Sequence, residues 1–256
     1  WGGGLEHFSL REQIGPDTKF FAEGHVLFPD PDYQVKLSLE KTDIGFVRFG
    51  AEEWRKYYDD SGGFAPNVPT NSFNLNRNLH LDIGRAWIDL GLTRPRLPQI
   101  VLGYEYQFKE GSKSTLQWGP VLGTNSFLAP DTDARNVFPA SKDIDEHTHI
   151  IKLDVSHELY GWRLEDSARV EFYKLATTRR TNLLAFLTPD TFASVAESAQ
   201  HLLGANTLCA SKQITDWLSV SSGYLYSRLD GNTSVKQNTL DGSGNFAVGY
   251  QWSADN

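Results

Sequence analysis

The densest group of potential metal ligands in this 256-residue chain is His147 and His149, preceded by Asp143, Asp145 and Glu146. Histidines at i and i+2 of a strand share a face, and carboxylates packed this closely suit a hard cation such as Ca²⁺. No closed ligand set of known spacing completes the group, so it reads as a solvated loop leading into a strand and not as a metal centre. Asp131 and Asp133 read the same way. Nucleophilic catalysis finds little to work with: there is no G-x-S-x-G elbow, and the single cysteine, Cys209, has no local histidine partner. Glu52 with Glu53, or Glu165 with Glu171, have the composition of a glycosidase pair, but such pairs arise readily in any acidic β-protein. Gly2, Gly3 and Gly4 precede no phosphate-loop lysine. No residues fill the roles that a catalytic site requires, and neither an enzyme nor a cofactor is expected.

The elements that must carry these side chains are strands. Tyr33, Val35, Leu37 and Leu39 interleave with Gln34, Lys36, Ser38 and Glu40, giving one apolar face and one charged face. The alternation returns at Ile100, Leu102, Tyr104, Tyr106 and Phe108, and again at Leu218, Val220, Tyr224 and Tyr226. Candidate strands lie near 19–28, 33–41, 44–56, 79–92, 99–108, 147–158, 162–176, 200–212, 217–229 and 244–252, bounded by Gly, Pro, Asn and Asp. Several exceed the usual soluble strand of about 5–6 residues. Helical signal is sparse; Thr191 to Leu203, capped by Asp190 or Thr191, is the one candidate.

Short links at 41–43, 93–98, 159–161 and 213–216 alternate with long ones at 57–78, 109–146, 177–199 and 230–243, an asymmetry expected of an up-and-down membrane barrel. Glu110, Gly111 and Ser112 have turn chemistry, but a membrane-edge turn there would put the next long loop on the wrong side. Lys113 to Trp118 therefore read as a hairpin arm rising within that loop. No apolar run approaches the ~20 residues of a membrane helix. A barrel needs none, because its strands carry polar residues at every second position. With 24 basic residues scattered among 32 acidic ones and a net charge of -8, no nucleic-acid partner is expected. The chain begins at Trp1, holds no methionine and shows no signal peptide, so it reads as a mature form or an internal piece.

The alternation assigns Gln34, Lys36, Glu40, Glu105, Gln107, Lys152, Asp154, Arg163, Glu165, Arg169 and Glu171 to a polar lumen. Trp54, Tyr57, Tyr58, Trp162, Trp217, Tyr250 and Trp252 supply the rings of interfacial girdles. Asp166 falls on the outward face, where a bulge would be needed to turn it in. Strand 79–92 also asks for a bulge, since Leu79, Leu81 and Ile83 have the opposite parity from Ala86, Ile88 and Leu90.

The stretches 101–119 (VLGYEYQFKEGSKSTLQWG), 143–162 (DIDEHTHIIKLDVSHELYGW) and 38–63 (SLEKTDIGFVRFGAEEWRKYYDDSGG) resemble segments of large outer-membrane β-barrel proteins of Gram-negative bacteria, similar in style to the porin-like barrels that sheathe multihaem cytochromes. The resemblance covers most of the chain through strand and turn patterns. It implies outer-membrane lipid around the protein and a periplasmic or multihaem cytochrome partner within it. Such barrels are commonly longer and end on an aromatic, whereas Trp252 is followed by Ser253, Ala254, Asp255 and Asn256, which implies part of a larger barrel. The expectation is an all-β, antiparallel up-and-down transmembrane β-barrel, a single domain over 1–256 with about ten strands here, acting as a passive channel or sheath. The alternative is a secreted carbohydrate-binding β-sandwich; a barrel enzyme with acidic residues at its mouth is a third reading.

Overall fold

Eleven strands follow one another in a single antiparallel sheet whose spatial order is the chain order. The computed structural model describes residues 2–59, 78–122, 134–182, 192–240 and 246–255. The strands are β1 (Gly3–Ile14), β2 (Thr18–Phe28), β3 (Asp32–Lys41), β4 (Gly45–Tyr57), β5 (His80–Leu92), β6 (Gln99–Leu122), β7 (Ala134–Leu159), β8 (Trp162–Asn182), β9 (Phe192–Thr215), β10 (Leu218–Leu240) and β11 (Phe246–Asp255). There is no helix among the described residues. Among the described residues no helix is long and apolar enough to cross a membrane.

The sheet is not closed into the expected barrel: β1 pairs with β2, β11 pairs with β10, and the two are not paired to each other. Topology supplies a reason. An odd number of up-and-down strands leaves the first and last running in the same direction, so the antiparallel seam used everywhere else cannot form between them.

The tenfold strand expectation misses β1. Its register shifts between Leu5, opposite Val26, and Phe8, opposite Gly24, so Leu5 and Phe8 share a face despite their opposite parity. That bulge hides the two-residue period. The expected helix over 191–203 is corrected as well. From Phe192 the segment is strand β9, laddered on both sides to β8 and β10, and this pairing overrides the helical preference of its alanines. Lys113–Trp118 is no separate arm but the continuation of β6, which runs through Gly111 (φ 124) with β7 alongside. Neither expected bulge is present, because β5 keeps unbroken register with β4 and β6, and β8 keeps it with β7 and β9.

Register fixes the faces. One face carries a contiguous apolar belt, in which Leu39, Val47, Leu90, Leu102, Leu153 and Ala168 form one hydrogen-bonded row. Leu37, Phe49, Ile88, Tyr104, Ile151 and Val170 form the next. Most of these large side chains are exposed, Leu102 by 47% and Ile151 by 43%, because no second layer covers them. The opposite face is charged, and it also holds the buried side chains of Leu81, Ile144 and Ile150. These account for the parity of Leu81: it belongs to the charged face and packs there beyond the belt.

Candidate functional site

All eleven residues assigned to a lumen stand on the charged face. The strands bring part of the set into a continuous network. Gln34 on β3 donates to Glu52 on β4 at 3.1 Å, and Arg85 on β5 donates to the same carboxylate at 2.6 Å. Arg85 also lies 3.8 Å from Glu105 on β6. Glu105 accepts from Lys152 on β7 at 2.6 Å and from Gln107 at 2.7 Å. Charges of alternating sign thus run from strand to strand, and each long side chain is held by a partner on its neighbour. Trp87 underlies this network: its ring packs against Gly50, where an added Cβ would meet it at 2.0 Å, and the Arg85 guanidinium sits 4.8 Å from the ring centre.

A second group lies on β8 and β9. Arg169 donates to Glu171 at 2.7 Å, and His201 is 3.5 Å from the other carboxylate oxygen of Glu171. Arg163 and Glu165 pair at 2.6 Å near the short-turn end, and Asp154 accepts from Ser167 at 2.6 Å. Lys36 reaches Glu23 at 3.4 Å, while Glu40 stands on the same face nearer the turn. Sequence reasoning missed Arg85, the link between the two halves of the main network. The bulge assumed in 79–92 hid its face.

Beyond the belt, Lys142 on β7 donates to Glu197 on β9 at 2.7 Å, and Thr177 on β8 adds a hydrogen bond at 3.1 Å. The Lys142 bond, opposed by partial burial, holds the Glu197 carboxyl below the ordinary carboxylate range. A folded-state value lower than the unfolded one, about 4.3, gives stability that is full above that unfolded value and fades as pH falls through the folded one. The urea midpoint of the wild type is therefore expected to drop more steeply below about pH 4 than that of Lys142→Met, whose Glu197 has lost the charge partner. Parallel slopes in the two proteins would remove this pair from the acid response.

The metal-ligand candidates separate. His147, His149, Asp145 and Asp143 share the apolar face, but Glu146 turns to the charged face and pairs with Lys109 at 3.0 Å. Glu110 from β6 takes its place, so that ligand atoms of Glu110, Asp145 and His147 lie within 4.8 Å of one another. His147 is already engaged on both nitrogens, Nε2 with Asp145 at 2.5 Å and Nδ1 with the Tyr106 hydroxyl at 2.7 Å. An ion-paired border at the edge of the belt accounts for the cluster. Arg55 and Asp82 extend that border on β4 and β5 through a forked pair at 2.7 and 2.8 Å. Asp131 and Asp133 lie outside the described residues.

The aromatic candidates divide three ways. Tyr57 is on the apolar face just beyond the belt, its hydroxyl donating to Asp30 and its ring 6.1 Å from His80. Tyr58 follows the end of β4 with the Lys56 ammonium over its ring at 5.3 Å. Trp162 and Trp217 mark the opposite, short-turn end, Trp162 under Lys212 at 5.6 Å and Trp217 82% exposed. Trp54, opposite Asp32 and Ile83, and Trp252, opposite Val235, instead stand on the charged face. Tyr250 lies on β11, and its side chain is outside the described residues.

No protein-family model matches this chain, and no curated protein or solved structure matches it either. Its geometry has to carry the functional reading.

Proposed function

We propose that this sheet is the wall of an outer-membrane β-barrel, with its belt against lipid and its charged face lining a water-filled passive conduit. The carrying observation is the exposed apolar belt itself, confined to one face and bounded on that face by charge. An uncovered patch of this extent far exceeds the few hundred Å² normal for a soluble surface. From Ile100 to Phe108 it runs about 27 Å along β6 at about 3.4 Å per residue. A strand tilt of about 40° brings that to roughly 21 Å, close to the ~25 Å band of outer-membrane barrels.

The slant of the belt adds independent support. Its upper border passes through Glu53 on β4 and Arg228 on β10, yet register places Arg228 on the row of Phe49, two rows nearer the turns. The lower border moves in the same sense. Lys41 on β3 shares a row with Asp166 on β8, while Lys212 on β9 is level with Trp162, two rows further down. Hydrogen-bond rows run across tilted strands, so a belt level in a bilayer must cross them at an angle. A sandwich core has no such requirement. The slant also puts Asp166 inside the belt, where it accepts from Asn206 at 2.8 Å and so does not face lipid alone.

The partner proteins implied by the resemblance, a periplasmic protein or a multihaem cytochrome, would have to occupy the face that the ion-pair network lines. The proposal needs strands beyond these eleven, odd in number, to restore an antiparallel seam. In detergent or lipid the chain is expected to give a β-rich species whose gel mobility changes on heating, and planar bilayers containing it should conduct. A folded monomer in plain buffer, with no shift on heating, overturns the membrane reading in favour of the sandwich.

A further inference from the structure

At the upper border of the belt, β7 to β10 shape a shallow groove of about 800 Å³. Its floor is Phe172 and Leu202, directly opposite one another and exposed by 46% and 40%. The next row consists of Lys174, Gln200 and Asn232, paired strand to strand. His149 closes one side, its Nδ1 bonded to the Tyr104 hydroxyl at 2.8 Å. The other charges nearby are engaged: Asp230 by Arg228 at 2.7 Å, and His147 by Asp145 and Glu110. The Lys174 ammonium has no ion-pair or hydrogen-bond partner among the described residues.

We infer that this groove holds a membrane lipid with a phosphate headgroup, an inference that rests on the membrane reading above. A phosphodiester carries one negative charge and oxygens that only accept, and this row presents one unpaired cation beside two amide side chains able to donate. The two apolar side chains one row below lie where an acyl chain leaves such a headgroup for the belt. Soluble phosphate has no use for that floor, and a neutral glyceride has none for Lys174. The groove therefore selects for both halves of one molecule.

The test is native mass spectrometry of the protein released from micelles doped with dioleoylphosphatidylglycerol, dioleoylglycerol or inorganic phosphate. Wild type should retain one phosphatidylglycerol. Lys174→Ala should weaken retention about tenfold, the scale of a lost charge-assisted hydrogen bond, and Lys174→Arg should restore it. Phe172→Ala should also weaken it, through the acyl chain. Equal retention of the glyceride, equal retention by wild type and Lys174→Ala, or displacement by inorganic phosphate alone overturns the lipid site. The gel shift on heating, followed on the same samples, separates these results from failure of the membrane reading, in which the protein enters no micelle at all.

Discussion

Ile151→Arg is expected to cost about 2–4 kcal/mol of stability in a bilayer, the penalty measured for arginine on the lipid face of a barrel near the midplane. Ile151 sits in the middle of the belt, between Tyr104 and Val170, with 43% of its surface open. On β6, β7 and β8 no carboxylate lies in the row of Ile151 or in the rows next to it on that face, and Asp166, two rows away, already accepts from Asn206. The charge would therefore have to stretch toward a headgroup or draw water into the hydrocarbon. Ser167→Arg is the matching control. It places the same side chain on the charged face, opposite Asp154, and should change stability by no more than about 0.5 kcal/mol. Urea titration of both variants in vesicles reads the difference. In a soluble open sheet with this face in water, Ile151→Arg would be an ordinary surface change of about 0.5 kcal/mol or less. Near-equal behaviour of the two variants would therefore sink the lipid assignment.

The sequence makes the faces legible because a strand's side-chain period is two and every register slip would turn the belt inside out. That is why Gln34, Lys36, Glu105, Lys152 and Arg169, spread over strands far apart in the chain, meet on one face. What stays hidden is whatever breaks the period or replaces local preference with pairing. The shift between Leu5 and Phe8 conceals β1, and the alanines of β9 imitate a helix until β8 and β10 are beside them. Leu81 and Ile83 suggest a bulge only if both faces are assumed uniform along their length. In fact the charged face also carries apolar side chains beyond the belt, where Leu81 and Ile144 are buried. Asp166 needed no bulge either, since Asn206 supplies its hydrogen bond across β8 and β9, a contact between residues forty apart in sequence. No period in a single strand announces such a partner.

Glu105 is the only charged residue buried among those described, at 8% exposure, and its removal should be the costliest change on the charged face. Glu105→Ala takes away the acceptor for Lys152 and Gln107 and the counter-charge facing Arg85. Stranding a fully buried cation costs about 3–5 kcal/mol. Here Lys152 and Arg85 keep 37% and 44% of their side-chain surface, and Arg85 retains Glu52, so both can rehydrate. The loss should therefore be about 2 kcal/mol, and roughly half of that for Glu105→Gln, which keeps an acceptor oxygen in place. Because Lys152 and Glu105 act together, the double variant Glu105→Ala, Lys152→Met should fall short of the summed single losses by about 1 kcal/mol. Conduction gives a second readout. With Glu105 gone, the row it shares with Trp87 and Ile150 carries one less negative charge between two cations, and a lumen lined by that row should shift its reversal potential toward anions. If stability falls but selectivity does not move, the network serves the wall alone, and the path for ions lies away from Glu105.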